Sequence, residues 1–294
     1  MLARSIAIAF VLACAACEDG SLTEATDSQD QTSSENIPLR EVSGLANHDG
    51  RFVAVGDRSS KIITFKVDGK KVKSVKEHKP LDKAGNSGSQ FEAVAYDGKG
   101  NVVVLSEGGD VFVLDEECED KRDSTTLDWQ SVNPLVEGRV DINSLGEGMI
   151  VLSKDHLLVA LEKNPTAIVE FGPKGDKPKG FSSGERNSSE FSPPKELVAL
   201  KAWQVHDDHA RDLSELTIGP DGALWGISQQ SNEIVRFEGT LKPTEDRASV
   251  KEHFDLPSKI KGAEGLAFDG DRPIVARDRS SDDSTNLYIL EALH

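Results

Sequence analysis

Ala263-Glu264-Gly265-Leu266-Ala267-Phe268-Asp269-Gly270-Asp271 is one of five stretches of a kind in this 294-residue chain. Its counterparts are Val42-Ser43-Gly44-Leu45-Ala46, Phe91-Glu92-Ala93-Val94-Ala95, Gly146-Glu147-Gly148-Met149-Ile150 and Leu213-Ser214-Glu215-Leu216-Thr217, with second positions 49 to 67 residues apart. Each is followed by a polar turn, in most cases an Asp/Gly pair of the kind that favours tight hairpins. A short apolar strand comes next, at residues 52–55, 102–105, 157–161, 223–227 and 274–276. After a second turn a third strand follows, at 62–67, 110–114, 167–171, 233–237 and 287–290. A fourth, more polar strand can be drawn at 72–78, 125–130, 197–205 and 249–256.

Helical periodicity is nearly absent, and a repeat of about 50 residues built from four short strands specifies a β-propeller. One such unit is too thin to bury two faces alone, so the units must stack around an axis. The fold expected is all-β, a propeller of five blades with six as the alternative count. The excess in the third unit, residues 172–195, is rich in Gly, Pro, Ser and charge and reads as an inserted surface loop. The last unit has only three strands before the chain ends, and residues 37–42 are left over in front of the first. An N-terminal strand from that segment is expected to join the last blade and close the ring, protecting an edge otherwise open to aggregation.

The inner strand of a blade enters at one face and the second strand returns to it. The inlet of the first strand and the outlet of the second therefore share a face. The inlet positions carry Ser43, Glu92, Glu147, Ser214 and Glu264. The outlet positions, 14 or 15 residues later in every unit, carry Asp57, Glu107, Glu162, Gln229 and Asp278. Seven carboxylates are thus expected around one mouth of the channel. Like charges so close raise each other's pKa unless a cation offsets them, and carboxylate oxygens suit a hard cation such as Ca2+. Two structural readings stand beside this one: Arg58, Lys163, Arg277 and Arg279 form salt bridges with neighbouring outlet acids, or the inlet Glu residues accept backbone N–H bonds that seat the inner strands.

His206-Asp207-Asp208-His209 is a weaker candidate for Zn2+, since consecutive loop residues rarely converge on one ion. The other histidines carry no pattern. No phosphate loop, dinucleotide fingerprint, nucleophile elbow or paired-Cys motif is present, and no catalytic residue is assigned. The net charge of −17 excludes nucleic acid as a partner, because phosphates need a basic surface. A monomer is expected.

Residues 1–17 look like an export signal: Arg4, an apolar run at 6–13 too short to span a bilayer, then small residues. Small residues before a Cys resemble the lipobox of bacterial lipoproteins, which makes Cys17 the expected lipidated residue and Cys14 the alternative. Ordinary secretion is the competing reading. Cys118 is the one thiol left after processing at Cys17, so the mature body has no internal disulfide. Residues 18–36 are polar and acidic and read as a disordered tether, leaving 37–294 for the propeller.

The ordered set Ser43-Gly44-Leu45, Glu147-Gly148-Met149, Asp212-Leu213-Ser214-Glu215-Leu216 and Glu264-Gly265-Leu266-Ala267-Phe268 resembles the SdiA-regulated (YjiK-like) β-propeller family over roughly residues 37–292. The esterase-like phytase family is similar in the same segments. The resemblance implies a propeller on the outer side of the inner membrane, with a Ca2+ site at the channel mouth made by Glu92, Glu147, Glu264 and the outlet acids; with the lipobox-like run, the protein is expected to be lipid-anchored in the cell envelope and to face the periplasm. It departs from the pattern at Ser43, Ser214, Gln229 and Ala93. The function expected is binding of an unidentified small-molecule or protein ligand at the acidic mouth. The alternative is a calcium-dependent phytase-like or esterase-like hydrolase, with an acid such as Glu147 or Glu264 as its base. Glu18 after Cys17 resembles the sorting signal for the outer membrane.

Overall fold

The computed structural model describes residues 32–81, 90–141, 145–185, 187–279 and 285–293. Cys14, Cys17 and most of the expected tether lie outside the described residues. The described strands group into five four-stranded antiparallel meanders. Unit one is Val42–His48, Arg51–Gly56, Ser59–Asp68 and Lys71–His78. Unit two is Phe91–Tyr96, Val102–Ser106, Asp110–Leu114 and Lys121–Asp128. Unit three is Leu145–Ser153, His156–Leu161, Ala167–Gly172 and Glu196–Val205. Unit four is Glu215–Ile218, Leu224–Ser228, Glu233–Phe237 and Val250–Asp255. Unit five is Ala263–Asp269, Arg272–Arg277, Leu287–Ile289 and, from the other end of the chain, Ser33–Glu35.

The second strands are continuous apolar runs because both of their faces are buried. In unit one, Val53 and Val55 pack toward unit two, whereas Phe52 and Ala54, on the opposite face of the same strand, pack toward unit five. Five hydrophobic clusters arise in this way, one between each pair of neighbouring units. The first strand of each unit packs on the first strand of the next, and that of unit five on that of unit one. The result is a closed ring with the inner strands around the axis. The hairpin between the first two strands of unit one is a two-residue turn in which Asp49 (φ 49°) and Gly50 (φ 79°) both have positive φ, as its Asp-Gly sequence demands.

The closing strand lies earlier than residues 37–42. Ser33–Glu35, inside the segment read as tether, pairs with Leu287–Ile289. An outer edge strand needs backbone pairing more than apolar side chains, so its polar sequence gave no strand signal. Residues 37–39 serve as the latch instead. Ile37 and Leu39 are buried against units one and five. Asn286 accepts from Ile37 N–H at 2.9 Å and donates from Nδ2 to the carbonyls of Ile37 (2.9 Å) and Leu39 (2.7 Å).

The insertion in unit three is largely irregular and is tied down over the face opposite the inlets. Gly98 N–H donates to Ser189 O at 2.9 Å, Phe191 N–H to Asp97 Oδ2 at 2.8 Å, and Phe181–Ser182 pairs with Thr240–Leu241. The outer strands of units two and three also join, in parallel, over Thr126–Asp128 and Glu196–Val198. No helix among the described residues is long and apolar enough to cross a membrane.

Candidate functional site

Strand register decides what each inlet residue faces. In unit one Val42 pairs with Gly56 and Gly44 with Val55, so Ser43 is an extra residue bulged out of the ladder. The same irregularity falls at Glu92, at Gly146-Glu147 and at Glu264. A bulge re-aims a side chain that would otherwise follow the pleat. Here it turns the three inlet acids out of the alternation that buries their neighbours, and the register sets each beside the outlet residue of its own unit, while Ser43 stays buried.

The acids converge. The carboxyls of Glu92, Glu147 and Glu264 are half-buried and repel one another. Burial, then repulsion from Asp57, Glu107 and Glu162, pushes Glu92 up to about 7. Burial, then Asp278, Asp57, Glu92 and Glu162, pushes Glu264 up to about 8. Burial, then Glu92, Glu162 and Glu264, pushes Glu147 up to about 9, with Lys163 acting the other way. Neither the Glu92 nor the Glu147 carboxylate takes a hydrogen bond among the described residues. Glu162 is half-buried, and Glu107 and Asp278 are exposed at the rim.

The positions without an acid explain themselves. Ser43 Oγ donates to Phe91 O at 2.6 Å and so ties unit one to unit two. Gln229 donates from Nε2 to Glu264 Oε1 at 2.8 Å, so this amide supplies a donor where a fifth outlet acid would add repulsion. Ser214 is buried, and its N–H donates to Ile227 O. The neighbouring bases neutralise little of the cluster. Lys163 pairs with Glu162 at 2.5 Å. Arg58 sits on Glu41 rather than on Asp57. Arg277 turns to Tyr288 Oη (2.7 Å) and the carbonyl of Lys259 (3.2 Å).

Sequence reasoning missed three further acids. Glu41, one residue before the first inner strand, is buried with φ 48°, a strained value for a non-glycine. Its carboxyl lies against that of Asp57, with no donor between them unless one is protonated. Burial and this contact push Asp57 up to about 6. Asp212 is buried and accepts from Gln230 N–H and Ser228 Oγ. Burial raises it, and these donors lower it only in part.

Glu215 is wholly buried at the axis. Its Oε2 accepts from Leu45 N–H of unit one at 2.9 Å and its Oε1 from Leu216 N–H at 2.9 Å; Leu266 N–H of unit five also donates to this carboxylate. Units one and four are not neighbours in the ring, so this side chain reaches across the axis. The other units hold Gly44, Ala93, Gly148 and Gly265 at the same place, and a Cβ on Gly148 would stand 2.3 Å from Leu216 N. That signal was present in the sequence as one acid among four small residues. Beyond Glu215 all five units line a second mouth, a cavity of about 540 Å3 whose walls include Asn47, His48, Tyr96, Ile218, Phe268 and Asn187.

The SdiA-regulated family model matches residues 141–275. That stretch is similar to the SdiA-regulated family. It contains units three and four whole and the inlet strand of unit five. It therefore carries Glu147, Glu162, Gln229 and Glu264 of the acidic mouth, together with Asp212 and Glu215. No curated protein matches the chain in sequence. Among solved structures it is similar to the glutaminyl cyclase of Myxococcus xanthus, at 12% identity and a TM-score of 0.54, over 89% of this chain and 94% of that one. This likeness shows the β-propeller fold alone. The PQQ-bound aldose sugar dehydrogenase of Streptomyces coelicolor is similar at 14% identity over 88% of this chain and 97% of that one, with a TM-score of 0.46.

Cys118 is buried with φ 59°. Burial first, then the acids around it, pushes its thiol up to about 12, with Arg51 opposing. It stays a thiol at neutral pH and is no nucleophile.

Proposed function

We propose that this chain is a lipid-anchored envelope protein whose propeller holds Ca2+ at its acidic mouth and through it binds a small-molecule or protein ligand. The observation that carries the reading is the convergence of Glu92, Glu147 and Glu264, with no hydrogen-bond donor on the first two among the described residues and mutual repulsion among all three. The donor set fits a hard cation, being made of oxygen throughout. These three would hold the ion, with Asp57, Glu162, Glu107 and Asp278 around them. A bound ion would supply positive charge where the propeller has too little, and an anchoring point for a ligand's oxygen atoms.

The chain's own residues do the rest. Glu215 holds the inner strands at fixed spacing, so the bulged acids keep their positions. Gln229 orients Glu264, and Lys163 occupies Glu162. Thermal melting tests the reading. EDTA-treated protein should melt roughly 5–10 °C higher once Ca2+ is added at a hundredfold excess over its Kd. The combined E92Q, E147Q and E264Q variant should show no such rise. Identical melting of the wild type in EDTA and in Ca2+ refutes the proposal.

A second reading is a calcium-dependent ester hydrolase, favoured by the same convergence of carboxylates, one of which, left off the ion, would act as general base. Turnover of phosphomonoesters or lactones by the Ca2+-loaded chain, abolished by EDTA, establishes it. No turnover across that panel leaves the binding reading. The anchor is proposed on the lipobox-like run ending at Cys17, with Cys14 as the alternative site and the outer membrane as the destination. Incorporated palmitate should be lost in Cys17→Ser and kept in Cys14→Ser. The reverse pattern moves the site, and no label in the wild type removes the anchor.

A further inference from the structure

We propose that His209, Glu233 and His253 form a binding site for a late first-row transition metal, Zn2+ foremost, separate from the acidic mouth. The four-residue run 206–209 does not act as a unit. Asp207 caps the short 3-10 helix Asp208–Ala210, its Oδ1 accepting from His209 N–H at 2.9 Å, and this turn carries the His209 ring onto the outer strands of unit four. There His209 Nδ1 lies 2.7 Å from Glu233 Oε2, and His253 Nδ1 lies 3.3 Å from the same oxygen. The two rings stack with centroids 3.4 Å apart, and the three candidate ligand atoms all lie within 4.8 Å of one another.

Tetrahedral Zn2+ with bonds of about 2.0–2.1 Å separates its ligand atoms by roughly 3.3 Å. The observed 2.7 and 3.3 Å fall near that edge. The stacked rings lie in nearly parallel planes, so an ion shared by both Nδ1 atoms requires one ring to turn toward the other, a side-chain rotation that their exposure permits. Two imidazoles and one carboxylate are a zinc donor set, whereas the all-oxygen mouth suits Ca2+. The scaffold is rigid where it matters: Glu233 opens the third strand, paired with Ser228 on one side and Asp255 on the other, and its side chain is only 12% exposed. The His209 and His253 side chains are 41% and 47% exposed, which leaves a coordination position open to solvent.

The test is calorimetric titration of ZnCl2 into EDTA-treated full-length protein, followed by the visible spectrum of the Co2+-loaded protein. One equivalent of Zn2+ should bind, Co2+ should give a tetrahedral d–d absorption, and His209→Ala and His253→Ala should each weaken binding by about tenfold or more. Glu147→Gln should leave Zn2+ binding unchanged. Circular dichroism of each variant establishes that it is folded. Absence of Zn2+ binding in the wild type, or binding that survives in both folded His variants, overturns the proposal. Binding lost in Glu147→Gln instead assigns the ion to the mouth and overturns it equally.

Discussion

Replacing Glu215 with alanine is expected to cost the fold more than any other single substitution in the chain, on the order of 3–5 kcal/mol. The carboxylate is wholly buried and serves N–H donors from the inner strands of units one, four and five. Alanine leaves all three donors at a dry axis without an acceptor and opens a cavity where the inner strands meet. Glu215→Met separates the two causes, because it restores volume without an acceptor, and it should recover little. Glu215→Gln should fall between. Its single oxygen can serve either Leu45 or Leu216, while its amide donors face the other N–H. Urea unfolding and thermal melting measure the series, with a fall of roughly 10 °C expected for alanine. A loss for Glu215→Ala below about 1 kcal/mol would show that the carboxylate is a passenger at the axis.

The second large effect is a fall in stability as pH rises. Glu92, Glu264 and Glu147 titrate in the folded chain at about 7, 8 and 9, and Asp57 at about 6, all above the usual carboxylate range. Between roughly pH 4.5 and 9 the native state therefore holds more protons than the unfolded chain, and stability declines as pH rises through that window. Asp155 and Asp221 run the other way. Burial raises them, but Lys179 on the first and Trp225 and Arg236 on the second more than offset it. What they contribute is lost only as pH falls below about 4. The metal-free chain should be most stable near pH 5 and should lose about 2–4 kcal/mol by pH 9, since coupling keeps the separate shifts from adding in full. Glu147→Gln should raise the melting temperature at pH 8.5 in EDTA and change it little at pH 5. A mouth acid that weakens the protein in this way fits a site kept for binding at the expense of stability.

The repeat was legible because both faces of each second strand are buried. The apolar runs at 52–55, 102–105 and 157–161 stand out between Asp/Gly turns, and the constant offset from inlet to outlet follows from antiparallel pairing. What escaped is non-local. Glu215 occupies a position that reads as filler in the other units, and its importance depends on the inner strands of units one and five meeting that of unit four. Glu41 precedes the repeat and is turned inward by a left-handed residue. Ser33–Glu35 is polar, and an edge strand is specified by its partner's backbone. His253 carries no pattern of its own, since it meets His209 only across two strands of unit four.

The central claim is that acids far apart in the chain share one desolvated mouth. The most direct measurement is a carbon-detected NMR titration of the side-chain carboxyls of Glu92, Glu147 and Glu264 in metal-free protein. Midpoints well above 5, highest for Glu147, with all three moved down on adding Ca2+, are the predicted result. Three independent midpoints near 4.5, insensitive to Ca2+, would contradict it.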